Sequence, residues 1–262
     1  MMFAIRNYAA TMCGTILRSF QIRAKHRLLA TFDFDNTIID GDCYEAVGGF
    51  LKQPQETTEK LRKLIEERNW MKYMRIVLSL LHQQQDVSIT EIVQRVRQLP
   101  EVPGMMCLLR QLAKDSSIDM CILSDANSYL ITEWLKANQM TNIFTAIFTN
   151  PARVCLDGFL QVDPYEHQTH CDQCPENLCK GSVIKSLMNC TNYNFNRIIY
   201  VGDSCNDLCP IQSLRQQDVA CIRRDAELHD KLPSHIDNIR SQVLIWRDGH
   251  ELQHQLELNA IL

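Results

Sequence analysis

The chain reads as an α/β protein, a doubly wound parallel sheet of Rossmann-like type with an inserted helical cap. Three observations predict this. Short apolar runs at residues 28–34, 118–123, 144–148, 198–201 and 219–222 alternate with amphipathic stretches, the pattern of repeated βα units. Polar residues able to do chemistry cluster where those runs stop, which is where parallel sheets place their sites. From about residue 43 to 102 the alternation ceases, and apolar residues recur only at helical spacing. The expected division is therefore a core of residues 28–42 and 103–262, a cap of 43–102, and a leader of 1–27.

Taken in order, the first run ends in Phe32-Asp33-Phe34-Asp35-Asn36-Thr37. Strand side chains alternate with period two, so Asp33 and Asp35 share one side. Two such carboxylates repel each other unless a cation or a proton separates them, which suits Mg²⁺-assisted phosphoryl chemistry. Asp42-Cys43-Tyr44-Glu45 follows, with Asp42 expected as N-cap and Glu45 at N3 of the first cap helix. The cap carries Trp70, Met74, Ile76, Val77, Leu80 and Leu81 at helical spacing, with no strand signal between them. A helical unit placed directly after the acidic strand end is a natural lid. Pro103-Gly104 punctuates the return to the sheet.

The run at 118–123 leads into Ser124-Asp125-Ala126-Asn127, with a helix expected from near Ser128. A hydroxyl and free backbone N–H groups at such a junction make a phosphate seat. Residues 154–162 carry a hairpin signal, with Asp157-Gly158 at the turn. Next come His167, His170, Cys171 and Cys174, with Cys179 five residues on. That donor set and spacing could bind Zn²⁺, or the segment could be a loop that only holds Lys180. Lys180 opens a helical run, where the macrodipole prefers anions, so a lysine there asks for a reason. The run at 198–201 ends in Gly202-Asp203, followed by Asn206 and Asp207, the last also a candidate N-cap.

At 262 residues and 45% hydrophobic, the chain can bury one full core plus an insertion. A net charge of −4 and the lack of a dense basic patch argue against a nucleic-acid surface. No stretch approaches the roughly 18 apolar residues that a membrane span requires. The twelve cysteines are scattered among expected core elements, which points to free thiols in a reducing compartment. The first 27 residues hold Arg6, Arg18, Arg23, Lys25 and Arg27 with no acid. They read as a disordered basic leader on a cytoplasmic protein, with a mitochondrial transit peptide as the alternative.

Asp33-x-Asp35-x-Thr37, Ser124, Lys180 and Gly202-Asp203-x-x-x-Asp207 in that order resemble the haloacid dehalogenase superfamily of phosphohydrolases. Leu123-Ser124-Asp125-Ala126-Asn127, Cys174-Pro175-x-Asn177-x-Cys179-Lys180 and Tyr200-Val201-Gly202-Asp203-x-x-Asn206-Asp207 resemble its PHOSPHO branch in particular. The resemblance implies a small-molecule phosphomonoesterase acting on phosphoethanolamine, phosphocholine or pyridoxal phosphate. It implies Asp33 as nucleophile, Asp35 as proton shuttle, and Mg²⁺ held by Asp33, the Asp35 main-chain carbonyl and Asp203, with Asp207 and Asn206 orienting ligands or water. Ser124, the Asp125 N–H and Lys180 would bind phosphate, and Tyr44, Trp70 and Tyr73 could cage a cationic head group. The acid that branch members commonly carry at the position of Tyr44 is missing. Alternatives are a phosphotransferase, a phosphoprotein phosphatase with the same chemistry, or a non-catalytic zinc-stabilised interaction module.

Overall fold

A computed structural model describes residues 16–17, 27–52, 55–67, 69–84, 87–189 and 195–262. Apart from Ile16, Leu17 and Arg27, the expected leader lies outside the described residues. The elements begin with β1 (Ile16–Leu17) and β2 (Arg27–Phe32). Four helices follow: α1 (Cys43–Gly48), α2 (Gln55–Glu66), α3 (Trp70–Gln84) and α4 (Ile89–Arg97). Then come α5 (Met105–Leu112), β3 (Ile118–Asn127), α6 (Ser128–Ala137), β4 (Ala146–Asn150), β5 (Ala152–Val154) and β6 (Leu160–Val162). The chain closes with α7 (Lys180–Asn189), β7 (Phe195–Gly202), α8 (Leu208–Gln212), β8 (Val219–Arg223), α9 (Glu227–His235), β9 (Gln242–Trp246) and α10 (Gly249–Leu258).

The main sheet has seven strands in the order β1-β4-β3-β2-β7-β8-β9. All its pairings are parallel except that of β1, which runs antiparallel to β4 with Ile16 opposite Ile147. Strand alternation splits the interior in two. Ala30, Phe32, Met120, Ile122, Ile199 and Val201 face one core, shared with the insertion, α5, α6 and α10. Leu29, Cys121, Leu123, Ile198 and Tyr200 face the other, beneath α7, α8 and α9. A sheet buried on both faces reads as continuous apolar runs, which is how these segments read.

Several boundaries differ from expectation for physical reasons. β3 runs on to Asn127, past a register shift between Leu123 and Asn127 in its pairing with β4 that lets the chain bulge at Ser124 and Asp125. β9 pairs in parallel with β8 although its apolar run is short and its first residue is a glutamine. The hairpin forms between β5 and β6, but Asp157-Gly158 sits in a five-residue connection rather than a two-residue turn. Its tip meets α3, where His82 Nε2 lies 3.4 Å from Asp157 Oδ2.

Helices α1–α4 stand between β2 and β3, and the chain enters and leaves them side by side. Asp40 N donates to Pro100 O at 2.8 Å and Val102 N to Ile38 O at 3.0 Å, around an antiparallel bridge of Ile39 with Glu101. Asp42 caps α1 by accepting from Tyr44 N and Glu45 N, and Ser88 with Glu91 forms a reciprocal capping box on α4. Trp134 of α6, fully buried, donates from Nε1 to Leu99 O at 2.9 Å and meets Phe34 edge-to-face at 5.6 Å. Among the described residues no helix is long and apolar enough to cross a membrane.

Candidate active site

At the carboxyl end of β2 the backbone leaves the sheet but stays tied to it, since Asp33 N donates to Val201 O at 2.9 Å. Asn36 adopts a left-handed conformation with φ 52°, tolerable for asparagine, and turns the chain toward the insertion. Asp33 is buried. Its Oδ1 accepts from Phe34 N at 2.6 Å and its Oδ2 from Lys180 Nζ at 2.7 Å. Lys180, at the start of α7, is 1% exposed and gives its other two protons to Asn206 Oδ1 and Asp207 Oδ1, each at 2.8 Å. Burial by itself would lower the lysine, but the carboxylates of Asp207, Asp33 and Asp125 outweigh it and hold the ammonium charged.

Asp207 is the hub on the β7 side. Its Oδ1 also accepts from Tyr200 OH at 2.7 Å, while its Oδ2 accepts from Asp203 N at 3.0 Å and Ser204 N at 3.1 Å. Gly202 makes this possible, because a Cβ there would collide with Asp207 Oδ2. Asp203 accepts from Thr37 Oγ1 at 3.3 Å, joining the two acidic strand ends.

Burial pushes the Asp33 carboxyl up to about 7, with Lys180 opposing it and Asp207 adding to it. Asp35 is pushed well above the usual carboxylate range by burial and then by Asp42, and Asp203 by burial and then by Asp207 and Asp33. Oxygens of Asp33, Asp203 and Asp207 lie within 4.8 Å of one another. One ammonium cannot balance that many buried carboxylates, and Asp33 and Asp203 offer hard oxygen donors with capacity to spare, so these two fit Mg²⁺ while Asp207 is occupied by its hydrogen bonds.

A cavity of about 630 Å³ opens above these groups. Asp33, Asp35, Ser124, Asp125, Asp203 and Asn206 line its floor, and Asp42, Tyr44, Glu45 and Trp70 line the side formed by the insertion. Ser124 Oγ accepts from Ala126 N at 3.2 Å and faces this space. Asp125 is braced rather than free: Asn177 and Asn206 donate to its carboxylate at 3.2 and 3.0 Å, and Tyr44 OH and Asn150 donate to its carbonyl. Tyr73 does not line the cavity. It is buried inside the insertion, with its hydroxyl against Gly48 and its ring edge-to-face with Trp70 at 6.0 Å. His167 and His170 do not join the cysteines either, since His170 Nε2 pairs with Ser182 Oγ at 2.7 Å and the fourth thiol is Cys209.

A family model described as "Putative Phosphatase" matches residues 28–260. Pyridoxal phosphate phosphatase PHOSPHO2 of Mus musculus is 33% identical over 243 residues, which span 88% of this chain and 98% of the relative. The chain belongs to the PHOSPHO branch of the haloacid dehalogenase phosphatases. The phosphoethanolamine/phosphocholine phosphatase of Homo sapiens is 30% identical and spans 88% of each chain. A solved phosphoserine phosphatase, described as a phospho-aspartyl intermediate analogue, superposes with a TM-score of 0.57 at 18% identity. It covers 89% of this chain and 99% of its own, a likeness of fold.

The sequence of this PHOSPHO-branch chain gives no signal at Asn150, and it carries Asn177 and Tyr200 within the branch motifs without assigning either a role. Asn177 Nδ2 bridges Asp125 to Asn150 Oδ1 at 3.1 Å, and Asn150 in turn receives Tyr165 N at 3.1 Å. Asn177 stands inside the cysteine-flanked motif, and that position was the available signal. Tyr200 reads as core because its ring is core, and only its hydroxyl reaches Asp207.

Proposed function

We propose that the chain is a Mg²⁺-dependent phosphomonoesterase that works through an aspartyl-phosphate on Asp33. The carrying observation is the buried Asp33–Lys180–Asp207 cluster at the floor of an acid-lined cavity, with the Ser124 hydroxyl facing the same space. Asp33 attacks phosphorus, the bond to the ester oxygen breaks, and the phosphoryl group passes to the carboxylate. Asp35 gives its proton to the departing alkoxide. Burial and the neighbouring Asp42 favour its protonated form, as a general acid requires. Asp35 then takes a proton from the water that hydrolyses the acyl phosphate.

Ser124 donates to a phosphoryl oxygen, and Lys180 keeps Asp33 oriented. Asp33, Asp203 and the Asp35 carbonyl would hold Mg²⁺, which when bound would supply charge neutralisation at the phosphoryl oxygens. Asp207 has its oxygens taken by Lys180, Tyr200, Asp203 and Ser204, so it positions the cluster rather than ligating. On the insertion side, Tyr44 and Trp70 line the cavity together with Asp42 and Glu45. Acids on either side of Tyr44 offset the missing acid at that position and favour a substrate with a cationic group. The helical insertion serves as the lid.

The test is a hydrolysis screen with Mg²⁺ over phosphoethanolamine, phosphocholine, pyridoxal phosphate and neutral alkyl phosphates. Turnover of at least one of these, lost by roughly a thousandfold or more in a folded Asp33→Asn variant, is expected. Retention of more than about a hundredth of the rate would remove Asp33 as nucleophile.

A further inference from the structure

We propose that Cys171, Cys174, Cys179 and Cys209 form a tetrathiolate zinc site that clamps the start of α7 to α8. Their sulfur atoms lie within 4.8 Å of one another, with Cys171 Sγ and Cys179 Sγ at 3.7 and 3.9 Å from Cys209 Sγ. A tetrahedron of sulfurs around zinc, with Zn–S near 2.3 Å, has edges of about 3.8 Å. A disulfide requires about 2.05 Å, and all four thiols are free. Thiols are weak hydrogen-bond partners, so four of them converging without a common ligand would gain little.

The surroundings are built to hold this convergence. Residues 163–179 contain no helix or strand, an unusual length of irregular chain inside a compact domain unless something cross-links it. Gln168, 4% exposed, spends its side chain on shaping that loop. Its Nε2 donates to the carbonyls of Cys171, Cys174 and Pro175, and its Oε1 accepts from the N–H groups of His170 and Cys171. Gly181 lets α7 approach Cys209, because a Cβ there would strike the Cys209 sulfur. The first three cysteines follow an x₂ then x₄ spacing, within the range of zinc-binding loops.

As the four Zn–S bonds form, the thiols release their protons to solvent, and no redox change is involved. Cys179 precedes Lys180 and Cys209 lies two residues after Asp207, so one ion would join the two segments that carry the buried ion pair. Cys174 also lines the cavity above the carboxylates, but the cluster uses none of their oxygens and its existence does not depend on the proposed reaction.

The experiment is metal analysis and X-ray absorption on the full chain purified without chelator. About one zinc per chain is expected, with sulfur ligands near 2.3 Å. Stripping zinc should lower Tm by roughly 5–10 °C. Cys209→Ser should lose zinc to a chelator that leaves the wild type and the Cys107→Ser control loaded. Should Cys209→Ser fail to fold, the wild-type metal content and absorption spectrum still decide. The proposal is overturned by wild-type protein that takes up no zinc from an equimolar supply. A disulfide among the four cysteines, or zinc held by oxygen and nitrogen ligands only, would overturn it equally.

Discussion

Lys180 has no proton to spare: all three go to Asp33, Asn206 and Asp207. Its part in the site is therefore to keep two buried carboxylates charged and apart from solvent. Lys180→Met would leave them unpaired, and removing one partner of a buried pair costs about 3–5 kcal/mol. Urea denaturation without Mg²⁺ should show that loss, and a change below about 1 kcal/mol would mean the carboxylates simply take up protons. The acids make a second, opposite demand. Asp33 titrates near 7 in the fold against 3.8 without it, so the folded chain binds the extra proton between those values. Its stabilising share is complete below 3.8 and disappears as pH rises through about 7, and Asp35 and Asp203 shift in the same direction. Metal-free protein should accordingly lose Tm between about pH 5.5 and pH 8, and Mg²⁺ should raise Tm more at the higher pH. An equal Mg²⁺ effect at both would separate the carboxylates from metal binding.

Among elements, the segments 38–40 and 100–102, paired around the Ile39–Glu101 bridge, join the insertion to the sheet, and Trp134 fastens the adjoining Leu99 O to α6. Trp134→Phe keeps the ring against Phe34 and removes only the donor. It should cost roughly 1–2 kcal/mol in denaturant melts, and no change would show that the backbone pairing suffices. Much at this scale is legible in sequence because position and chemistry coincide. Asp33, Ser124 and Asp203 stand where apolar runs stop, and Lys180 stands where a lysine is out of place. Other features depend on folding back. The apolar run Val243-Leu244-Ile245-Trp246 is too short for periodicity to separate strand from helix, so β9 shows only once β8 offers an edge. Cys209 lies 30 residues beyond Cys179, inside a helix, and only the packing of α8 on α7 brings it to the other thiols. His167 and His170 were attractive by spacing alone, yet the loop shaped by Gln168 turns cysteines to the cluster and His170 to Ser182.

For the molecule as a whole, charge is arranged against its own substrate. Net charge is −4, and Glu67, Asp172 and Glu227 join the acids around the cavity, with no lysine or arginine lining it among the described residues. A phosphate dianion approaching this mouth is repelled, and a cationic head group relieves the repulsion. Raising ionic strength, which shortens screening to about 8 Å at 0.15 M, should increase kcat/KM for a neutral alkyl phosphate more than for phosphocholine. Equal salt responses would place the acids too far from the path to matter. The insertion, too, has a consequence at this scale through its attachment. The paired segments are only one of its moorings: His82 of α3 meets Asp157 of the hairpin, and Arg97 of α4 pairs with Glu133 of α6. A cover moored at three places holds Tyr44, Trp70 and the acids beside them at set positions over the acidic floor of the cavity.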